Sequence, residues 1–145
     1  PTPLRERVLA AFFTAIEDIE TFETVERNPN WTVEKPTLPA AAIFDGPERA
    51  EDQNVADLFI TSSVSVEITA IKATVAEVLT ELNELLGLIR VACVENATLG
   101  GYAQRIRYIG CDEPQVVDLT ASPIEASLEL NFEIERLENH ATPYA

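Results

Sequence analysis

The chain has 145 residues, with 25 Asp and Glu against 10 Lys and Arg and a single His, for a formal charge of −15. That length suits one domain, and 46% hydrophobic with 24% charged residues is the composition of a folded chain with its own core. The charge excludes a sequence-independent grip on nucleic acid, which needs Lys and Arg to neutralise phosphates, and equally excludes docking on an anionic membrane.

The acidic excess is evenly spread. Residues 1–72 hold 13 acids and 6 bases, and residues 73–145 hold 12 and 4, so it belongs to a folded surface and not to an acidic tail. No run reaches the ~18 apolar residues of a membrane helix. The first helical stretch carries Arg5, Glu6 and Arg7, unlike the apolar core of a signal peptide. Cys93 and Cys111 are expected as small buried hydrophobes in a reducing cytoplasm.

In chain order, Thr2 and Pro3 suit the N-cap and first position of a helix. Leu4, Val8, Phe12, Ala15, Ile16 and Ile19 then form one apolar stripe at helical spacing. Glu17, Asp18 and Glu20 crowd its carboxyl end, where the helix dipole disfavours acids. Two short extended pieces are predicted at Phe22–Asn28 and Trp31–Lys35, broken by the turn Asn28-Pro29-Asn30. Leu38–Asp45 reads as a strand buried on both faces and ending at Gly46-Pro47. The acidic stretch Glu48–Asp57 reads as a surface loop.

From Leu58 to Thr69 the pattern alternates. Leu58, Ile60, Val64, Val66 and Ile68 take one face; Thr61, Ser63, Ser65, Glu67 and Thr69 take the other. Phe59 interrupts the polar face, either as a contact residue or through a bulge that turns it inward. Thr74-Val75-Ala76-Glu77 is a capping box opening a second helix whose apolar face runs from Val75 to Cys93, with an end near Asn96. Gly87 within it costs about 1 kcal/mol relative to Ala, which predicts close approach to the sheet. Leu99-Gly100-Gly101 predicts a turn with positive φ. Ile106 and Tyr108 oppose Arg105, Arg107 and Ile109 in the next strand, and Val116 and Val117 mark a short edge piece. Ala126, Leu128, Leu130, Phe132 and Ile134 then alternate with Ser127, Glu129, Asn131, Glu133 and Glu135 without exception, a strand half buried and half wet.

The expected fold is α+β: a single domain over residues 1–145 in which two amphipathic helices pack on one face of a mainly antiparallel, mixed sheet. The other face is left polar and acidic.

Chemistry-bearing groups are few. His140 could pair with Cys93 or Cys111 as base and nucleophile only by accident of folding. One His and two scattered Cys do not make a zinc site. Glu77, Glu81 and Glu84 share a helix face, where such pairs repel by about 0.2–0.5 kcal/mol each, and read as solvated. The glycine pair lacks a phosphate-binding context. No catalytic, cofactor-binding or metal-ligating residues are assigned, and no cofactor is expected. The acidic excess has two readings: plain solubility, or a surface that repels DNA and suits a wall that DNA slides past without sticking.

The layout resembles the tail terminator (tail completion) proteins of long-tailed phages, the minor tail protein U type, with relatives in gene transfer agents. The resemblance spans nearly the whole chain. It runs from the amphipathic first helix into Val25-Glu26-Arg27-Asn28, then Leu38-Pro39-Ala40 with Gly46-Pro47-Glu48 after it. The long strand to Thr69, the Leu-rich second helix, Thr98-Leu99-Gly100-Gly101 with Arg105–Gly110, and the alternating strand Ala126–Arg136 complete it. Trp31 and Glu48–Asp57 have no counterpart in that pattern.

The resemblance implies a structural virion protein without catalysis, assembled in the host cytoplasm. It would form a homohexameric ring on the head-proximal end of the tail, ending tube polymerisation and forming part of the head–tail joining interface. Its partners would be its own copies, the tail tube protein and a head–tail connector, with DNA passing through unbound. Candidate contacts with neighbours or tube are Glu48, Arg49, Glu51, Asp52, Phe59, Leu99, Gly100 and Gly101; Glu67, Glu129, Glu133 and Glu135 are candidates for an acidic face towards the DNA channel. The alternatives are a head–tail connector or tail-tube subunit, or a small monomeric binding module or enzyme, which would show a concave apolar pocket with converging polar groups.

Overall fold

The computed structural model describes residues 2–32, 34–120 and 122–144. In chain order it contains α1 (Leu4–Glu17), β1 (Thr24–Arg27), β2 (Ala40–Asp52), β3 (Asp57–Lys72), α2 (Val75–Glu95), a 3-10 turn (Leu99–Gly101), β4 (Arg105–Cys111), β5 (Gln115–Val116) and β6 (Ile124–Asn139). The strands form one sheet in the order β1-β2-β3-β6-β4, with β5 also beside β6. Among the described residues only the β1–β2 pair is parallel; β2–β3, β3–β6, β4–β6 and β5–β6 are antiparallel. The α+β fold with both helices against a mixed sheet is therefore the one the alternation and helical stripes predict.

The core lies between helices and sheet. Val8, Leu9, Phe12 and Ile16 of α1 and Val78, Leu82, Leu85 and Ile89 of α2 join Val64, Val66, Ile68, Leu128, Leu130, Phe132 and Ile134 in one cluster. Phe12 meets Phe132 edge-on at 5.6 Å, and Tyr108 meets the same ring at 5.4 Å. Ala40–Ile43 is buried on both faces, as its run of small apolar residues requires.

The ends of the elements refine the sequence reading. Pro3 itself stands at the N-cap of α1 with no side-chain cap bond. The first helical amide, Leu4 N–H, instead donates to the Pro143 carbonyl at 2.9 Å, so Thr2 is not the cap. Thr74 does cap α2, accepting from the Glu77 N–H at 3.2 Å, and the helix closes on Asn96. Trp31–Lys35 contributes no strand among its described residues; Val33 lies outside them.

The largest departure is at Gly46-Pro47. The second strand does not stop there but continues through a register shift between Asp45 and Glu48 as far as Asp52. The segment predicted as a loop over Glu48–Asp57 is thus a hairpin, with Glu48 opposite Ser62 and Asp52 opposite Leu58. A Cβ at residue 46 would stand 2.7 Å from the Ser63 carbonyl oxygen, so only glycine lets the strands cross the bulge at this separation. Phe59 needs no bulge of its own: it lies opposite Glu51 and Leu137 in unbroken register. Gly87 is corrected too, since an added Cβ there would meet nothing within 4 Å. The 3-10 turn carries positive φ at Leu99, Gly100 and Gly101, as predicted.

Candidate functional site

Three surfaces remain once the core is formed. The first is the sheet face opposite the helices. Strict alternation places Thr61, Ser63, Ser65 and Glu67 of β3 opposite Glu135, Glu133, Asn131 and Glu129 of β6, so the four carboxylates predicted to share a face do share one. They do not share an environment. Arg105 holds Glu135 through two hydrogen bonds of 2.6 and 3.0 Å. Arg107 and Arg49, from β4 and β2 on either side, reach Glu133 at 3.2 and 2.9 Å. Glu67 and Glu129 form a like-charge cross-strand pair with no ion-pair partner among the described residues, although Lys35 lines the same hollow as Glu67. Burial first, and then the Glu129 charge, raise the Glu67 carboxyl above its ordinary value. The outer face is acidic at one end and bracketed by arginine at the other.

The second surface is the arm made by the distal halves of β2 and β3 with the end of β6. Residues 48–56 are exposed on both faces, so the helix layer does not cover them. The arm is held by Arg136, only 1% exposed. Its Nε donates to Glu138 at 2.8 Å, Nη1 to the Ser62 hydroxyl at 2.7 Å and Nη2 to Glu48 at 2.6 Å. Arg5 ties this cluster to α1, with Nη1 3.2 Å from Glu48 and Nη2 donating to the Gly46 carbonyl at 3.0 Å. Burial alone would raise the Glu48 carboxyl, but the Arg136 hydrogen bond and charge, then Arg5 and the Ser62 hydroxyl, hold it below the usual range. Glu48 is therefore occupied within its own chain, whereas Glu51 and Asp52 face solvent.

Below the bulge a second ion cluster joins the same elements. Arg27 meets Glu6 of α1 at 2.6 Å and Asp45 of β2 at 2.8 Å. At the tip, the Asn54 side-chain oxygen accepts from the Ala56 and Asp57 amides at 2.8 and 2.9 Å. Val55 is left fully exposed.

The third surface is an open cleft of ≈ 690 Å³ between the second half of α2 and β4. Ile106, Tyr108 and Phe132 form its floor, and Val91 and Val94 stand on its rim. Arg90 lies over the Tyr108 ring at 4.6 Å. Cys93 faces this cleft from the helix, its thiol pushed up to about 12 by burial. Cys111 is exposed, contrary to its expected burial.

The remaining sequence candidates scatter. Leu99 is 3% exposed and belongs to the core, so only Gly100 and Gly101 of that turn reach the surface. His140 lies 3.3 Å from Asp52 near the arm tip. Glu81 of the α2 acidic face stands 4.0 Å from Lys72. Trp31, which sequence left without a role, donates to Glu26 at 2.7 Å. Among the described residues no group of three or more His, Cys, Asp or Glu is arranged to hold a metal ion.

Sequence reasoning missed Arg136, although one further step of the period-two alternation past Ile134 points it inward. Ser62 sits inward by the same count. Such polar residues at inward positions of otherwise apolar strands are the signal that could have found the arm.

No known family profile matches the chain, and no curated protein does. Among solved structures, it is similar to a chain described as the virion of a native gene transfer agent (GTA) particle. Identity is 12%, TM-score 0.32, and the match covers 94% of this chain and 92% of that one. A TM-score of that size carries no functional assignment.

Proposed function

We propose that this chain is a structural virion protein that forms a ring on the end of a completed tail tube, stops its polymerisation and offers part of the surface that joins the head. The observation that supports it is the stiffened arm. A hairpin whose outer strand and tip, residues 48–56, are exposed on both faces buries little there for its own fold. Yet this one is braced by a buried arginine, two carboxylates and a hydroxyl, as a contact element held ready for a neighbour would be. A ring repeats one heterologous contact until it closes, so a projecting, rigid element on each copy is what such assembly requires.

The chain would act by shape, without catalysis. Its partners are its own copies, the tube protein below and a connector protein above. The bare Glu67/Glu129 end of the outer sheet face suits the channel side, where uncompensated carboxylates repel passing DNA. The arginine-bracketed end suits protein contacts. Electron microscopy of particles assembled without this chain tests the reading: overlong or headless tails are expected, and headed tails of normal length would overturn it.

A further inference from the structure

We propose that the cleft between α2 and β4 receives the β2–β3 hairpin tip of a second copy of this chain, and that this contact is the one that repeats around the ring. The inference rests on the ring reading above and names the contact within it.

Both halves are unusual for this protein. The tip carries three carboxylates, Glu51, Asp52 and Asp57, and no Lys or Arg between residues 50 and 57, around the fully exposed Val55. The cleft is the reverse. Its floor is aromatic and aliphatic, its rim exposes Val91 at 55% and Val94 at 78%, and Arg90 stands over Tyr108 with no carboxylate in ion-pair range among the described residues. In a chain of charge −15, a guanidinium with no carboxylate in ion-pair range is uncommon. Among the described residues Arg90 shares that state with Arg7 over Tyr102, but only Arg90 stands in a cleft with apolar walls, where a carboxylate from outside would complement it. Stacking on a ring uses the face of the guanidinium and leaves its edge N–H groups for a carboxylate. Glu95 also lines the cleft, so the tip acids belong at the Arg90 side.

The fit is head-to-tail. Tip and cleft are different surfaces of one chain, so each copy gives its tip to one neighbour and its cleft to the other, and such a contact closes into a ring or runs on as a filament. Both surfaces are in place beforehand: the tip is fixed by the Asn54 hydrogen bonds and the arm behind it by Arg136. Association then loses little conformational freedom.

Cross-linking of the purified full chain tests the contact. Val55→Cys and Val91→Cys are made separately, each with Cys111→Ser and with Cys93→Ala, because Cys93 is a free thiol in the wall of the same cleft, and are oxidised alone and as an equal mixture. Positions 55 and 91 are exposed and Cys93→Ala only trims one side chain at the cleft wall, so the fold is kept. The mixture is expected to give the heterodisulfide about tenfold faster than either variant self-links, because docking brings the two thiols together. Adding Arg90→Glu to the Val91→Cys variant is expected to remove that excess. A mixture no faster than the separate variants, or an excess indifferent to Arg90→Glu, overturns the proposal. The heterodisulfide together with normal tails in particles lacking the chain would keep this contact and remove the tail-capping reading. No heterodisulfide alongside overlong tails would do the reverse.

Discussion

At Ala40–Ile43 and Val64–Ala70, β2 and β3 are held by apolar contact with α1 and α2, whereas beyond the bulge at Asp45 and Glu48 the same two strands are held by ions and hydrogen bonds around Arg136. The two halves obey different physics. A buried Val, Leu, Ile or Phe contributes about 1.5–3 kcal/mol without direction, so the near half tolerates small shifts. A buried arginine contributes little net stability, since desolvation offsets its attraction, but it accepts only one geometry. The core half makes the protein fold; the arm half fixes where a projecting element points.

The strongest blow to this comparison is struck at Phe132, whose ring touches both Phe12 and Tyr108. Phe132→Ala is expected to cost about 3–5 kcal/mol in chemical denaturation and to lower the whole molecule in one transition. A two-step transition would show that the halves do not share one fold.

Arg136→Met sharpens the contrast with a smaller effect. It leaves Glu48, Glu138 and Ser62 facing one another, while Glu48 keeps Arg5. A cost of about 1–3 kcal/mol is expected, the penalty for leaving the half-buried Glu48, Glu138 and Ser62 groups without the partner that satisfied them. Hydrogen exchange should accelerate at Ile60–Ser62 and Ile134–Arg136 and stay slow at Ala41–Ile43. Equal acceleration in both regions would erase the distinction.

The smallest effect concerns the outer face. Glu67→Gln is expected to stabilise by about 0.2–1 kcal/mol at neutral pH, the range for relieving a directly opposed like-charge pair. Because burial and Glu129 raise the Glu67 carboxyl, its ionised form opposes folding above that raised value, and the penalty disappears as pH falls through it. Glu48 and Asp45 behave oppositely. Burial would raise both, but hydrogen bonds and charge from Arg136 and Arg27 hold them low. Their contribution is present above the ordinary carboxylate range and is lost as pH falls through the lowered values. Denaturation along an acid series should therefore show the Glu67→Gln advantage fading before the arm fails.

Much of the fold was legible in the sequence because burial writes a period. The stripe from Leu4 to Ile16, the two-faced run Ala40–Ile43 and the ten-residue alternation from Ala126 each need one geometry to hide their apolar atoms. The hairpin at Glu48–Asp57 was not legible, because a strand with no helix over it buries nothing and leaves no apolar period. Gly46-Pro47, a strong turn signal, instead marks a bulge, since the close Ser63 carbonyl rather than a chain reversal demands the glycine. The shared face of Glu67, Glu129, Glu133 and Glu135 followed from alternation alone. Which of them are neutralised did not, because Arg49, Arg105 and Arg107 arrive from flanking strands whose register no local pattern carries.

The position of β6 in the chain has a consequence for biosynthesis. It follows every other strand, yet it lies between β3 and β4 and pairs with β3 from Ile124 to Asn139. Until that segment leaves the ribosome, β3 shows an open edge along its full length and Arg136 is not there to gather Glu48 and Ser62. If β2 and β3 pair before β6 is available, they present a long, bare edge of the aggregation-prone kind, and the rate at which the sheet closes across so wide a sequence separation sets how long that exposure lasts.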